Sequence, residues 1–148
     1  EFLAFNSRLD TIQAIVAKRV MKKLDSVTEK RIENARKYNE RLAGISEFVS
    51  TPTKKKNVKH VFHVYVIRAK RRDELATYLE KNGVETKIHY PIPIHLQKGC
   101  HYLGYKLGDF PVCEAQSKEI LSLPVHQHLT DNEINYVVDK IKEFDDKK

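Results

Sequence analysis

No apolar run in the chain approaches the roughly 18 residues that a membrane-spanning helix needs. The opening Glu1-Phe2-Leu3-Ala4-Phe5 has neither the basic start nor the long apolar stretch of a secretory leader. Membrane insertion is therefore not expected. An initiator methionine is also missing, which reads as a start inside a longer polypeptide. Cysteine is scarce: Cys100 and Cys113 are too few for a disulfide framework, and a reducing, cytoplasmic setting is expected. Cys113 falls in an apolar helical stretch and is expected to be buried packing, with Cys100 in a loop. The G-x-S-x-G, Walker and G-x-G-x-x-G signatures are absent, as are the local signatures of cysteine proteases. Seven histidines are present, but His126-x-His128 and Cys100-His101 lack the paired ligand spacing of a structural zinc site. No carboxylate lies at a helpful offset, so no metal is expected.

Acidic residues are missing from one stretch in particular. Between Lys54 and Arg72 there are eight basic residues and no acidic one, whereas from Asp73 onward nine basic residues face thirteen acidic ones. The formal net charge of +7 is thus a local excess. Lys54-Lys55-Lys56 sits in a Pro-containing turn without interleaved aromatic residues, unlike a single-strand stacking platform. A solvated loop is expected there, not a nucleic-acid interface.

What is present reads as one globular unit. A chain of 148 residues with 41% hydrophobic and 32% charged content can bury a core. From Leu9 the apolar positions step by three or four through Ile12, Val16, Val20, Leu24, Val27, Ala35, Tyr38 and Leu42, with Arg31 interrupting the stripe. That is an amphipathic helix, which Asn6 or Ser7 can cap and Gly44 can end. A helix of about 35 residues would be roughly 50 Å long, too long for a domain of this size. It must kink, or bridge to another domain. Strands are expected at 48–50, at 60–68 (central, covered on both faces, with His63 a core histidine) and at 84–90. Helices are expected at 73–81, stopped by Gly83, from Pro111 to about Leu121, and after the Thr130-Asp131-Asn132-Glu133 capping box. The sum is an α+β layer of about three mostly antiparallel strands, backed by three shorter helices and fed by one long helix.

Two stretches carry candidate chemistry. Asn6-Ser7-Arg8 is a polar cluster at the mouth of the long helix, open to a capping role or a binding one. His89-Tyr90-Pro91-Ile92-Pro93-Ile94-His95 places three polar rings on a segment stiffened by two prolines, the way binding groups are presented on a scaffold. A rigid turn packed for its own sake is the alternative.

Taken in order, these blocks resemble the DegT/DnrJ sugar aminotransferases, which have the aspartate-aminotransferase (fold-type-I) fold. Asn6-Ser7-Arg8-Leu9-Asp10 with Gln13-Ala14 is similar to the family's entry to its domain-linking helix. His63–Arg68 resembles its central small-domain strand, and Tyr90-Pro91-Ile92-Pro93-Ile94-His95 its Y-P-x-P-x-H loop. Gly108-Asp109-Phe110-Pro111, Glu114 and Leu121-Ser122-Leu123-Pro124 match its last third, and Leu129-Thr130-Asp131 with Glu133 and Ile134 its final helix. Ala4 departs from the family's usual glycine. The resemblance implies that residues 1–45 are the linking helix and 46–148 the small C-terminal α+β domain, with the domain bearing the cofactor lysine missing. It implies a pyridoxal-phosphate enzyme that moves an amino group, usually from glutamate, onto a keto-sugar linked to a nucleoside diphosphate. It further implies a homodimer whose active sites are shared across the interface. Asn6 would reach the cofactor phosphate. Arg8 would face the substrate diphosphate, and His89, Tyr90 and His95 would line the sugar-nucleotide pocket. No lysine here matches the family's lysine motif, so no catalytic residue is assigned. The competing expectation is a non-catalytic regulatory or interaction protein on the same fold.

Overall fold

A computed structural model describes residues 9–147. The long amphipathic segment forms two helices, α1 (Thr11–Met21) and α2 (Leu24–Leu42), broken at Lys22-Lys23. At the break the Ser26 hydroxyl donates to the Lys23 carbonyl at 2.9 Å, a local alternative to the helical ladder. Asp10, not Asn6 or Ser7, caps α1. Its side chain accepts from the Thr11 amide while Gln13 reaches back to the Asp10 amide, closing a capping box. No residue of α1 is buried, whereas α2 buries Asn34, Ala35, Tyr38 and Leu42.

A three-stranded antiparallel sheet follows, in the order β1 (Val49–Ser50), β2 (Tyr65–Ala69), β3 (Ile120–Leu123). Its register explains the core. Tyr65 opposes Leu123, Ile67 opposes Leu121 and Val49 opposes Ala69, so all six share one face, and all six are buried. Against that face pack α2, α3 (Arg72–Lys81) and α5 (Asp131–Asp146), through Tyr38, Leu75, Leu79, Ile134 and Ile141 among others. Tyr38 stacks on Tyr65 at 5.0 Å between ring centroids. The expectation of a central strand covered on both faces is corrected: Val66 on the opposite face is half-buried and Arg68 is exposed.

Two further strand expectations fail for identifiable reasons. Residues 60–64 lie outside β2, and the backbone of Phe62 and His63 is bonded elsewhere. Arg31 Nη1 donates to the carbonyls of Phe62 (3.3 Å) and His63 (2.9 Å), and the Phe62 amide donates to His60 Nδ1 at 3.0 Å. Arg31 thus breaks the apolar stripe of α2 in order to hold this turn. Of 84–90, only Lys87 pairs, exchanging both backbone bonds with Ser122. The neighbouring outward positions of β3 are spent or void. The Ile120 carbonyl accepts from Arg72 Nη1 at 2.9 Å, the Ile120 amide donates to the Gln116 carbonyl, and Pro124 has no N–H. His63 is exposed rather than core.

Helix α4 (Pro111–Glu119) opens on its proline and runs into β3. It buries only Glu114 and Ser117, so Cys113 is exposed and not core packing. Gly83, with φ of +76°, ends α3 as expected. The Thr130 capping box forms. The Glu133 carboxylate accepts from the Thr130 amide (2.7 Å) and hydroxyl (2.8 Å), and those bonds hold its pKa below the usual carboxylate range. A carboxyl lowered on folding contributes stability above its unfolded pKa, about 4.3, and loses it as pH falls through the folded value. The melting-temperature gap between wild type and Glu133→Gln is therefore expected to be full at neutral pH and to shrink below about pH 4. A gap that stays constant down to pH 3 would remove the charge from this account. Among the described residues no helix is long and apolar enough to cross a membrane.

Candidate functional site

The face of the sheet away from the helices carries the polar chemistry. Ser122, opposite Val66 in register, faces that side, and a cleft of about 390 Å³ opens over it. Seven side chains with hydrogen-bonding heads line it: Arg31, His63, Glu85, Lys87, His89, Ser122 and His126. They come from α2, from the turn before β2, from the bridge segment, and from β3 with its exit. His89 Nδ1 lies 2.8 Å from Ser122 Oγ. Among the described residues Glu85 is the cleft's one carboxylate, and it pairs with Lys87 at 2.8 Å, which raises the lysine pKa. A basic rim of one guanidinium, one ammonium and three imidazoles suits an anionic oxygen ligand better than a cation. A neighbouring hollow of about 470 Å³ is larger and mostly apolar, lined by Val58, Val64 and Val66 among others, with Lys59, His60 and His63 also lining it.

The expected site residues separate into three groups. His89 sits in the cleft, and Tyr90 follows it, edge-on at 5.7 Å and 70% exposed. His95 is elsewhere: the Phe110 ring lies tilted against its ring at 4.8 Å, and its Nε2 lies 3.0 Å from Glu114 Oε1, with both residues buried. That geometry does not place His95 against a ligand. Asn6 and Arg8 lie outside the described residues. Arg31, Lys87, Ser122 and His126 were not foreseen, although the apolar stripe broken at Arg31 was a signal. The solvated-loop expectation for Lys54-Lys55-Lys56 agrees with the exposure of all three.

A family profile for the DegT/DnrJ/EryC1/StrS aminotransferases matches residues 1–142. The chain belongs to that family. Among curated relatives, the "Pleiotropic regulatory protein" of Geobacillus stearothermophilus is 43% identical over 96% of this chain and 38% of its own length. The dTDP-3-amino-3,6-dideoxy-alpha-D-galactopyranose transaminase of Aneurinibacillus thermoaerophilus is 34% identical over 97% of this chain and 38% of its own. Among solved structures, S. venezuelae DesV in complex with a ketimine intermediate superposes with a TM-score of 0.90 at 33% identity, over 97% of this chain and 38% of DesV. The chain thus spans little more than a third of the length of the relatives it matches. Fold-type-I sugar aminotransferases are its structural neighbours.

Family membership implies pyridoxal phosphate, so the described residues can be tested as its covalent holder. Such a lysine needs a free amine, which desolvation or a nearby cation provides by lowering its pKa. Three of the described lysines show the reverse. Glu29, Glu85 and Glu143 bond to Lys59, Lys87 and Lys140 and raise their pKa values. Lys37, 17% exposed, is paired with Asp131 and Glu33. The described residues do not fit that role.

Proposed function

We propose that this chain is the small-domain part of a nucleotide-sugar aminotransferase. In the whole polypeptide, glutamate supplies an amino group to a keto-sugar carried on a nucleoside diphosphate. The observation that carries this reading is the family match, which runs through residues 1–142 and takes in the Tyr90–His95 loop. Pyridoxal phosphate would supply the electron sink for amino transfer, and no step of that chemistry falls to the residues described here. Their part is binding and orientation. His89, held by Ser122, and the exposed Tyr90 would line the sugar-nucleotide pocket, with Arg31 and Lys87 as a basic rim for the diphosphate. Arg8 would add a guanidinium fork to the same phosphates. Asn6 would donate to the cofactor phosphate of a second subunit, in a homodimer that completes each site across its interface. A cytoplasmic setting goes with this reading.

A regulatory reading has one specific support, the name of the Geobacillus relative. Glutamate-dependent amination of a nucleotide-linked keto-sugar by the whole polypeptide separates the two, since a regulator would give none.

Asn6→Ala in that polypeptide is expected to weaken cofactor retention about 10- to 150-fold, the worth of one hydrogen bond to a charged group. Equilibrium dialysis of the cofactor measures this. If the cofactor is held as before and only the melting temperature falls, Asn6 is structural.

A further inference from the structure

The segment between His89 and His95 is anchored at both ends. At the first, His89 Nδ1 meets Ser122 Oγ, and Lys87 pairs its backbone with Ser122. At the second, His95 Nε2 meets Glu114 Oε1 at 3.0 Å, each residue 8% exposed. Between the anchors Pro91 and Pro93 stiffen the chain, while Tyr90, Ile92 and Ile94 stand out with exposures of 54–70%.

Glu114 ties more than one partner. Its two carboxylate oxygens accept from the Gly108 amide at 2.9 and 3.0 Å, and Oε1 also accepts from the Phe110 amide at 3.2 Å. Gly108 has φ of +100°, where a side chain would be strained, so glycine lets this amide face the carboxylate. Phe110 packs tilted against His95 and in turn meets Tyr105 edge-on at 5.1 Å. One carboxylate thus joins the proline segment, the turn at 106–110 and the first turn of α4. Burial alone would push the Glu114 carboxyl up. The donors Gly108, His95 and Phe110 outweigh it, and the net shift is downward. An ionised carboxylate only accepts, so the ring nitrogen facing it carries the proton.

We propose that the buried His95–Glu114 pair is a positioning device: it fixes where Tyr90 stands beside His89 of the cleft, and His95 acts through the segment without touching the ligand. The aminotransferase reading supplies only the identity of that ligand. The device itself is a property of this chain.

The test begins on the 148-residue chain by NMR. Glu114→Gln keeps the shape but removes the charge that strengthens the bonds from the Gly108 and Phe110 amides, and it puts a donor in place of one oxygen that faces the Gly108 amide. Hydrogen exchange at those amides is expected to quicken by about tenfold or more. The Tyr90 ring resonances should move, while the core amides of Ile67 and Ile141 keep their protection. Quickened exchange with unmoved Tyr90 resonances would overturn the proposal and leave Glu114 a mere brace of α4. Should Glu114→Gln lose core protection, His95→Leu decides. It leaves the backbone donors of Glu114 in place, so Tyr90 must still move, whereas His95→Gln, which restores an N–H donor, should return it. Failure of either result sinks the device. In the whole polypeptide, His95→Leu is expected to raise KM for the nucleotide sugar about tenfold with kcat within about twofold. A fall in kcat alone would refute the positioning role. If the wild-type polypeptide has no such activity, the functional reading fails, while the NMR result still stands or falls by itself.

Discussion

Purified as it stands and supplied with pyridoxal phosphate, glutamate and a nucleotide-linked keto-sugar, this chain is expected to give no measurable amino transfer. The reason is chemical. A lysine that engages an aldehyde must offer an unprotonated amine, and an unperturbed lysine near pKa 10.4 is almost wholly protonated at neutral pH. Every described lysine whose pKa is displaced is displaced upward by a carboxylate partner. Lys37 and Lys140 are well covered, at 17% and 20% exposure, and both are bonded to carboxylates. None of residues 1–8 is a lysine. Glutamate-dependent product by mass spectrometry from the purified chain would show that one of the chain's lysines serves this role after all.

A second large effect is expected at α1. Ile12, Ile15, Val16, Val20 and Met21 are each 56–72% exposed on a helix that buries nothing. A contiguous apolar stripe of this kind seeks a partner. At about 25 cal/mol per Å², covering 400 Å² of it offers on the order of 10 kcal/mol. Association costs of roughly 4–15 kcal/mol consume most of that. A weak dimer at tens of micromolar is the expected balance. Val20→Glu would place an unpaired carboxylate in the contact and is expected to weaken it about a hundredfold or more, some 3 kcal/mol. Sedimentation of the two proteins side by side reads this directly. A clean monomer in both would mean that the stripe does not drive association.

What the sequence disclosed follows the range of each interaction. The Thr130–Glu133 capping box, Pro111 at the start of α4 and Gly83 at the end of α3 are short-range devices, and each stands where its residues placed it. The strand expected over 84–90 failed because its would-be partner is consumed from afar: Arg72 takes the Ile120 carbonyl across 48 residues. The strand over 60–68 was cut short by Arg31, 31 residues away from Phe62. Cys113 reads as apolar in any window, and only the packing of α4 shows that its side of the helix is outside. The cleft was half legible. His89 and Tyr90 stood out on their stiffened segment, whereas Arg31, Lys87, Ser122 and His126 meet it from separate segments whose convergence only the fold creates.

The sheet's two borders carry a consequence for how this protein avoids damage. An open strand invites another chain to add to it, the first step toward fibrils. Here one border is a strand of two residues, Val49-Ser50, after which the chain runs into three consecutive lysines. The other border offers a single pairing position, already taken by Lys87, before Pro124 ends it. Among the described residues, backbone templating finds only short edges at either side. A crowded cell full of these chains would thus be steered toward contacts between side chains on helices and loops, which are reversible, and away from cross-β stacking, which is not.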